Sequence, residues 1–170
     1  TVGIAQEAGA RIVIARRGRG TQLAAGAAAA RGDWLLFLHA DCWPELGWQK
    51  AIRRAVKREH FGAGAFQMQI EGARSIYRAI ERGGDLRVRW LGLPYGDQGI
   101  FLRRESFWNL GGFPQVALME DVLFMQRARR LGRVELVRHP IHISPRRWER
   151  AGVVRQTLRN WGLTALAIGC

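Results

Sequence analysis

The sequence predicts an α/β domain with a mostly parallel central sheet flanked by helices. Two observations support this class. Segments with strand character alternate with helical segments along the chain. In addition, the apolar run Trp34–Leu38 follows a Gly-Asp turn without the polar alternation of a half-exposed strand, which is typical of a strand buried on both faces. With 170 residues, the chain is long enough for one domain with a hydrophobic core.

The elements follow from local patterns, taken in order along the chain. The first half predicts a strand over 11–15, an Ala-rich helix over 21–30, the strand over 34–38, a helix beginning at Pro44 and an alternating strand over 66–70. The second half predicts a helix from Ser75 to Arg82 that ends at Gly83-Gly84, the strand "GIFLRR", the helical turn "ESFWNL", the helix "EDVLFMQRARRLG", the strand "VELVR" and an amphipathic helix from Glu149 onward.

The charge balance is strongly basic, with 27 Lys and Arg against 14 Asp and Glu, a formal charge of +13. Such a surface attracts polyanions, so nucleic acid, an acidic membrane face and a phosphate-bearing substrate are all candidate partners. Arg-rich codon usage in a high-GC genome explains the composition equally well. The basic residues are scattered in pairs and do not alternate with aromatic residues, so no specific nucleic-acid partner is expected. No apolar run approaches the ~18 residues of a membrane span.

Acidic residues occur at two element boundaries. Asp41 follows the end of the predicted strand 34–38, and ligands of open α/β sheets bind beyond such strand ends. Glu120 and Asp121 begin a predicted helix, where negative side chains and bound anions are both favoured. Each feature also has a purely structural explanation, a turn or helix cap for Asp41 and electrostatic capping for the Glu-Asp pair. Taken together, they predict two sites facing each other across one crevice.

Four segments, in this order, carry a resemblance to a known family: "RGRGTQLAAGAAAARGDWLLFLHAD", "YGDQGIFLRRESFWNLGGFP", "MEDVLFMQRARRLG" and "SPRRWER". The set resembles the family 2 inverting glycosyltransferases, which have the GT-A fold, a nucleotide-binding α/β domain. It is most similar to a small bacterial branch in which His-Ala-Asp, here His39 to Asp41, stands in place of Asp-x-Asp. The resemblance implies a catalytic domain over 1–150 that lacks its first strands at the N-terminal side, followed by an amphipathic helix over 151–170.

The resemblance also implies roles for particular residues. Asp121 would be the catalytic base and Glu120 would position it or contact the acceptor. The implied donor-binding residues are His39, Asp41, Arg19, Arg147 and Trp148. The implied acceptor-binding residues are Asp97, Gly111 and Gly112. Asp41 would be the metal ligand, with His39 and His142 as further candidates.

The implied reaction needs a nucleotide-diphosphate sugar donor, an unidentified acceptor and a divalent cation, Mn²⁺ or Mg²⁺, at the diphosphate. A lipid-linked acceptor and peripheral contact with the inner face of the membrane are compatible with the basic surface, and a cytoplasmic location is expected. Two other functions stay open at this stage. One is a nucleotidyltransferase of related fold, and the other is a non-catalytic basic domain that binds nucleic acid or a membrane surface.

Overall fold

A computed structural model describes residues 2–169, so Thr1 and Cys170, the outer ends of the two predicted segments, lie outside the described residues. The helices and strands are α1 (Val2–Glu7), α2 (Arg19–Ala29), β1 (Trp34–Phe37), β2 (Cys42–Pro44), α3 (Trp48–Ala55), β3 (Phe61–Ile70), α4 (Ser75–Leu91), β4 (Ile100–Arg103), α5 (Arg104–Asn109), α6 (Glu120–Ala128), β5 (Arg133–Ile143), α7 (Arg146–Ala151) and α8 (Val153–Gly169). A single 3₁₀ turn, Gly96–Gln98, precedes β4.

The five strands form one sheet in the order β1-β4-β3-β5-β2. The α/β class is confirmed, with a sheet flanked by helices. Within that class the sheet is mixed rather than mostly parallel, because only β3 and β5 run parallel and the other three pairs are antiparallel. The local patterns predicted which segments are strands, whereas strand direction depends on how the connections between them run, which those patterns do not encode.

Apolar residues pack against both faces of the sheet. On β4, Ile100 and Leu102 belong to one core cluster, and Phe101 between them belongs to the other. The run that predicted a strand covered on both faces behaves in the same way, since Leu35 and Phe37 are buried in the first cluster and Leu36 packs against the second. The sheet is therefore the middle layer of the domain, and its strand ends are free to carry the loops of a site.

Two predicted elements are absent or displaced. Residues 11–15 form no strand, and Ile14 is 94% exposed, because no strand among the described residues pairs with this segment. Pro44 does not begin a helix. It ends β2, and α3 begins four residues later, after Gly47 with a left-handed φ of 92°. Only glycine adopts such a backbone readily, so Gly47 allows the chain to turn into the helix.

The predicted break at Gly83-Gly84 is also wrong, because α4 continues through both glycines to Leu91. A Cβ at Gly84 would collide with the side chain of Met68 on β3, so this glycine permits close packing of the helix on the sheet and does not end it. The predicted helical tail forms two helices, α7 and α8, separated at Gly152. Of the helices between residues 2 and 169, none combines the length and apolar character needed to cross a membrane.

Candidate functional site

A cavity of about 290 Å³ lies where the loops after β1, before β4, before α6 and after β5 meet the inner side of α8. Five of the predicted site residues line this cavity together. They are Arg19, His39, Asp97, Asp121 and Arg147. Residues from five separate places in the sequence therefore converge on one space. Of the three acidic residues that predicted a shared crevice, Asp121 lines this cavity, whereas Asp41 and Glu120 do not.

Asp121 is held in the first turn of α6 with its carboxylate fixed by two backbone amides. The N–H of Gly96 donates to Oδ2 over 2.6 Å, and the N–H of Val122 donates to Oδ1 over 2.8 Å. The side chain is buried, with 5% of the residue exposed. Because each carboxylate oxygen has a second lone pair, Asp121 keeps the capacity to accept a proton from a group in the cavity.

Glu120, its neighbour, does not line the cavity and is fully buried. Its carboxylate pairs with Arg19 through two contacts, 2.6 Å from Nε to Oε1 and 3.0 Å from Nη2 to Oε2. Burial opposes the charge of Arg19, but the hydrogen bond and charge of Glu120 outweigh it and raise the pKa of the guanidinium. Glu120 therefore fixes a charged Arg19 at the edge of the cavity.

Arg147, at the start of α7, lies between two carboxylates. Its Nη2 donates to Oδ2 of Asp41 over 3.1 Å, and its Nη1 is 3.9 Å from Oδ2 of Asp97. Asp41 itself does not line the cavity and has a side chain 40% exposed, whereas Asp97 is 5% exposed. Burial raises the pKa of Asp97, and the charges of His39, Arg147 and Arg87 oppose that rise.

His39 faces the 3₁₀ turn that carries Asp97. Its buried Nε2 has no hydrogen-bond partner among the residues that the structure describes. A Cβ at Gly96 would collide with the His39 ring and lie 3.3 Å from Oδ2 of Asp121. At Gly96, the imidazole of His39 and the carboxylate of Asp121 therefore both lie close to the backbone. The unpartnered Nε2 of His39 is buried beside the cavity and is available to a ligand.

Four other predicted residues lie elsewhere. Trp148 is a core residue, 4% exposed and packed near Tyr77. His142 hydrogen-bonds Glu71 over 2.7 Å and does not line the cavity. The carbonyl of Gly112 accepts a hydrogen bond from Arg127 of α6, and neither Gly112 nor Gly111 lines the cavity. The roles predicted for these residues stay predictions.

The charged residues fit a divalent cation only in part. Across residues 2–169, no three His, Cys, Asp or Glu side chains are grouped closely enough to hold a metal ion. Asp41 offers a partly exposed carboxylate next to Arg147, which lines the cavity, and the unpartnered His39 nitrogen is nearby in sequence. Hard divalent cations accept water and phosphate oxygens readily. A cation in this cavity would therefore need most of its ligands from a bound phosphate group.

Sequence reasoning missed the contribution of α8. Gln156, Arg159, Asn160 and Leu163 line the cavity, and their spacing places them on one face of the helix. Tyr95 was missed as well; its ring lies beneath the guanidinium of Arg87, 3.4 Å from centroid to Cζ. The spacing of the α8 residues was visible in the sequence, but nothing in it indicated that this face turns toward Asp121.

Comparison with known proteins bears on the family and the fold of the chain. The model of the family described as glycosyl transferase family 2 matches residues 1–113, a segment that contains His39, Asp41 and Asp97. The chain is also similar to a solved structure titled "Crystal Structure of a Mycobacterial Protein", with a TM-score of 0.50 and 18% identity. That likeness covers 84% of this chain and 50% of the other, so this chain spans about half the length of that protein. At this identity it shows the fold alone.

No curated protein matches the sequence. The family match covers well over half of the 170 residues, and the fold and the resemblance carried by the four sequence segments agree with it. The chain belongs to glycosyl transferase family 2.

Proposed function

We propose that the protein transfers a sugar from a nucleotide-diphosphate donor to an acceptor hydroxyl, with inversion at the transferred carbon. The observation that carries the proposal is the sharing of one cavity by the carboxylate of Asp121 and three guanidinium groups, those of Arg19, Arg147 and Arg159. A carboxylate suits the removal of a proton, and guanidinium groups suit the binding of a diphosphate.

The arginines would bind and orient the donor. Guanidinium groups match phosphate oxygens in pairs of hydrogen bonds and stay charged at any physiological pH. Arg19 is already immobilised by Glu120, so less side-chain entropy is lost when it binds an anion. As the bond to the sugar breaks, negative charge grows on the diphosphate, and cationic groups fixed beforehand stabilise that charge most effectively.

Asp121 would act as the base. It would take the proton of the acceptor hydroxyl while that oxygen bonds to the anomeric carbon from the face opposite the diphosphate. The bond between that carbon and the phosphate oxygen breaks, and its electron pair leaves with the nucleoside diphosphate. The two amides that hold Asp121 fix the direction of its free lone pairs, which supports a defined position for the acceptor hydroxyl.

A divalent cation is part of this proposal. Asp41 would be its protein ligand, and His39 suits Mn²⁺ better than Mg²⁺ because an imidazole nitrogen is a softer ligand. When bound, the cation would neutralise charge on the leaving diphosphate. Arg147 contacts Asp41, so binding of a cation there would weaken that ion pair and free the guanidinium for the diphosphate.

The test combines donor binding with turnover. Isothermal titration with UDP and Mn²⁺ should give nearly the same affinity for Asp121→Asn as for the unaltered protein, while release of nucleoside diphosphate in the presence of acceptors falls by about 10²–10⁴-fold. Asp41→Ala should weaken nucleotide binding. Asp33→Asn, an exposed carboxylate before β1, is the matched control and should change neither quantity.

Two outcomes would contradict the proposal. Unchanged turnover in Asp121→Asn would show that Asp121 is not the base. Exchange of pyrophosphate with nucleoside triphosphates, without any reaction of sugar donors, would favour a nucleotidyltransferase. Circular dichroism of each variant separates loss of chemistry from loss of folding.

A further inference from the structure

Two helices of the domain expose an apolar seam to solvent. On α4, Ile76, Ala79, Gly83, Leu86 and Trp90 recur at alternating intervals of three and four, which places them along one face of the helix. On α8, Val154, Leu158, Trp161, Ala165 and Ile168 recur in the same way. Trp90 is 78% exposed, Val154 66%, Leu158 61% and Trp161 58%, so the side chains lie in water and not in the core.

The two seams meet at one contact. The ring of Trp161 lies 3.8 Å from the position that a Cβ of Gly83 would take, so α8 packs against α4 there. We name this surface the docking face and define it by Leu86 and Trp90 of α4 and by Val154, Leu158 and Trp161 of α8. Contiguous exposed apolar surface of this kind marks a contact with a protein or a membrane.

The charges around the docking face have one sign. Arg82 and Arg89 of α4 and Arg155 of α8 are exposed. The two acidic residues of α4, Glu81 and Asp85, are buried and accept hydrogen bonds from the backbone N–H groups of Ile70 and Met68 on β3. The sequence of α8 contains no acidic residue. No carboxylate of either helix is therefore available at the face.

At its Trp90 end the docking face borders a second basic surface. A groove of about 1070 Å³ has Trp90 and seven arginines in its lining, with Glu135 as its one carboxylate. That carboxylate is already paired with Arg58 at 2.6 Å and with Arg133 at 3.7 Å. The positive potential next to Trp90 is therefore uncompensated, which favours an anionic partner.

We infer that the docking face binds an anionic lipid bilayer. Tryptophan and aliphatic side chains on one face of a helix, flanked by arginine, are the combination that enters the interface of an anionic membrane. A second copy of this chain would bring arginine against arginine across a two-fold axis without a carboxylate between them, which is unfavourable. Charge thus selects the bilayer over self-association.

Docking would hold the catalytic cavity at the membrane surface. On α8, the residues that line the cavity lie about half a turn around the helix from Val154, Leu158 and Trp161. The cavity and the bilayer would then be separated by about one helix diameter, ~10 Å. A lipid-borne acceptor would be within reach of Asp121, a consequence that rests on the proposed function, whereas membrane binding itself does not.

Co-sedimentation with vesicles tests the inference without an activity assay. The purified protein should bind vesicles of equal parts phosphatidylglycerol and phosphatidylcholine at about 0.1 M salt and should not bind pure phosphatidylcholine. Trp90→Ser with Leu158→Ser should weaken this binding at least about tenfold, because each side chain loses its burial in the interface. Arg82→Gln with Arg155→Gln should also weaken it.

Matched controls lie outside the two helices that form the face. Ile14 and Leu46 are 94% and 95% exposed, so Ile14→Ser with Leu46→Ser removes a similar exposed apolar area and should leave binding within about twofold. Equal loss in the control pair, or no binding to phosphatidylglycerol vesicles, would overturn the inference. A third result would also overturn the inference. In that case the unaltered protein would be a dimer in sedimentation velocity, the Trp90→Ser, Leu158→Ser variant would be a monomer, and neither protein would bind vesicles.

Discussion

At the scale of single residues, Glu120 and Asp121 show how neighbours in sequence can take different tasks. Successive positions in a helix point about 100° apart, so one carboxylate faces Arg19 inside the protein and the other faces the cavity. The resemblance implied that Glu120 positions Asp121 or contacts the acceptor. Its full burial and its ion pair favour a different task, the positioning of Arg19, while the proposed proton transfer needs only Asp121.

Because Gly96 has no side chain, His39 and Asp121 can both lie close to its backbone. Gly96→Ala would push the new methyl group into the His39 ring and toward the Asp121 carboxylate. We expect Gly96→Ala to fold, because the displaced groups face a cavity, but to reduce turnover by at least about tenfold through misplacement of Asp121. Steady-state kinetics would check this, with Gly26→Ala on α2, where a Cβ meets no atom within 4 Å, as the control. Normal turnover in Gly96→Ala would show that the cavity tolerates a shifted base.

At the scale of elements, α4 links the sheet to the docking face. Its inner side reaches β3 through Glu81, Asp85 and Gly84, and its outer side carries Leu86 and Trp90. Burial raises the pKa of both Glu81 and Asp85, and the hydrogen bonds from β3 oppose that rise. The hydrogen bonds of Glu81 and Asp85 thus hold α4 against β3 on its inner, buried side.

The two adjacent glycines of α4 give a matched pair of substitutions with opposite expected signs. A Cβ at Gly83 meets the Trp161 ring at an ordinary 3.8 Å, so Gly83→Ala should stabilise the protein by about 0.5–1 kcal/mol through helix propensity. A Cβ at Gly84 collides with Met68, so Gly84→Ala should destabilise it by about 1–3 kcal/mol despite the same propensity gain.

Urea unfolding followed by circular dichroism would measure both free energies. Equal stabilisation by the two substitutions would mean that Met68 yields at no cost and that α4 is not closely packed on β3 at this point.

At the scale of the whole molecule, the formal charge of +13 acts on stability as well as on binding. Like charges repel in the compact state, and salt screens that repulsion. Raising NaCl from about 0.01 M to about 0.15 M shortens the Debye length from about 30 to about 8 Å. We therefore expect the melting temperature to rise by about 2–4 °C for each 1 kcal/mol of repulsion removed.

Differential scanning calorimetry in dilute buffer at the two salt concentrations would test this. Potassium fluoride in place of sodium chloride controls for specific binding of chloride. A fall in melting temperature would mean that screening of ion pairs such as Arg19 with Glu120 and Arg147 with Asp41 outweighs the relief of repulsion.

The sequence by itself determined the local features of this protein. The apolar run at Trp34, the alternation around Met68 and the acidic start at Glu120 predicted β1, β3 and α6, because periodicity reflects which side of a segment is buried. The order of four motifs pointed to the glycosyltransferase family. The position of Asp41 and Asp121 at element boundaries predicted one shared crevice. Asp121 lines the cavity, whereas Asp41 does not and is linked to it only by its ion pair with Arg147.

Only the tertiary structure decided what depends on distant contacts. The mixed direction of the strands, the passage of α4 through Gly84 and the burial of Trp148 each follow from packing between segments far apart in sequence. The same holds for α8, whose amphipathic pattern was visible but whose inner face could not be assigned to the cavity. A local pattern fixes how a segment folds, whereas its neighbours are chosen by the summed burial and hydrogen bonding of the whole domain.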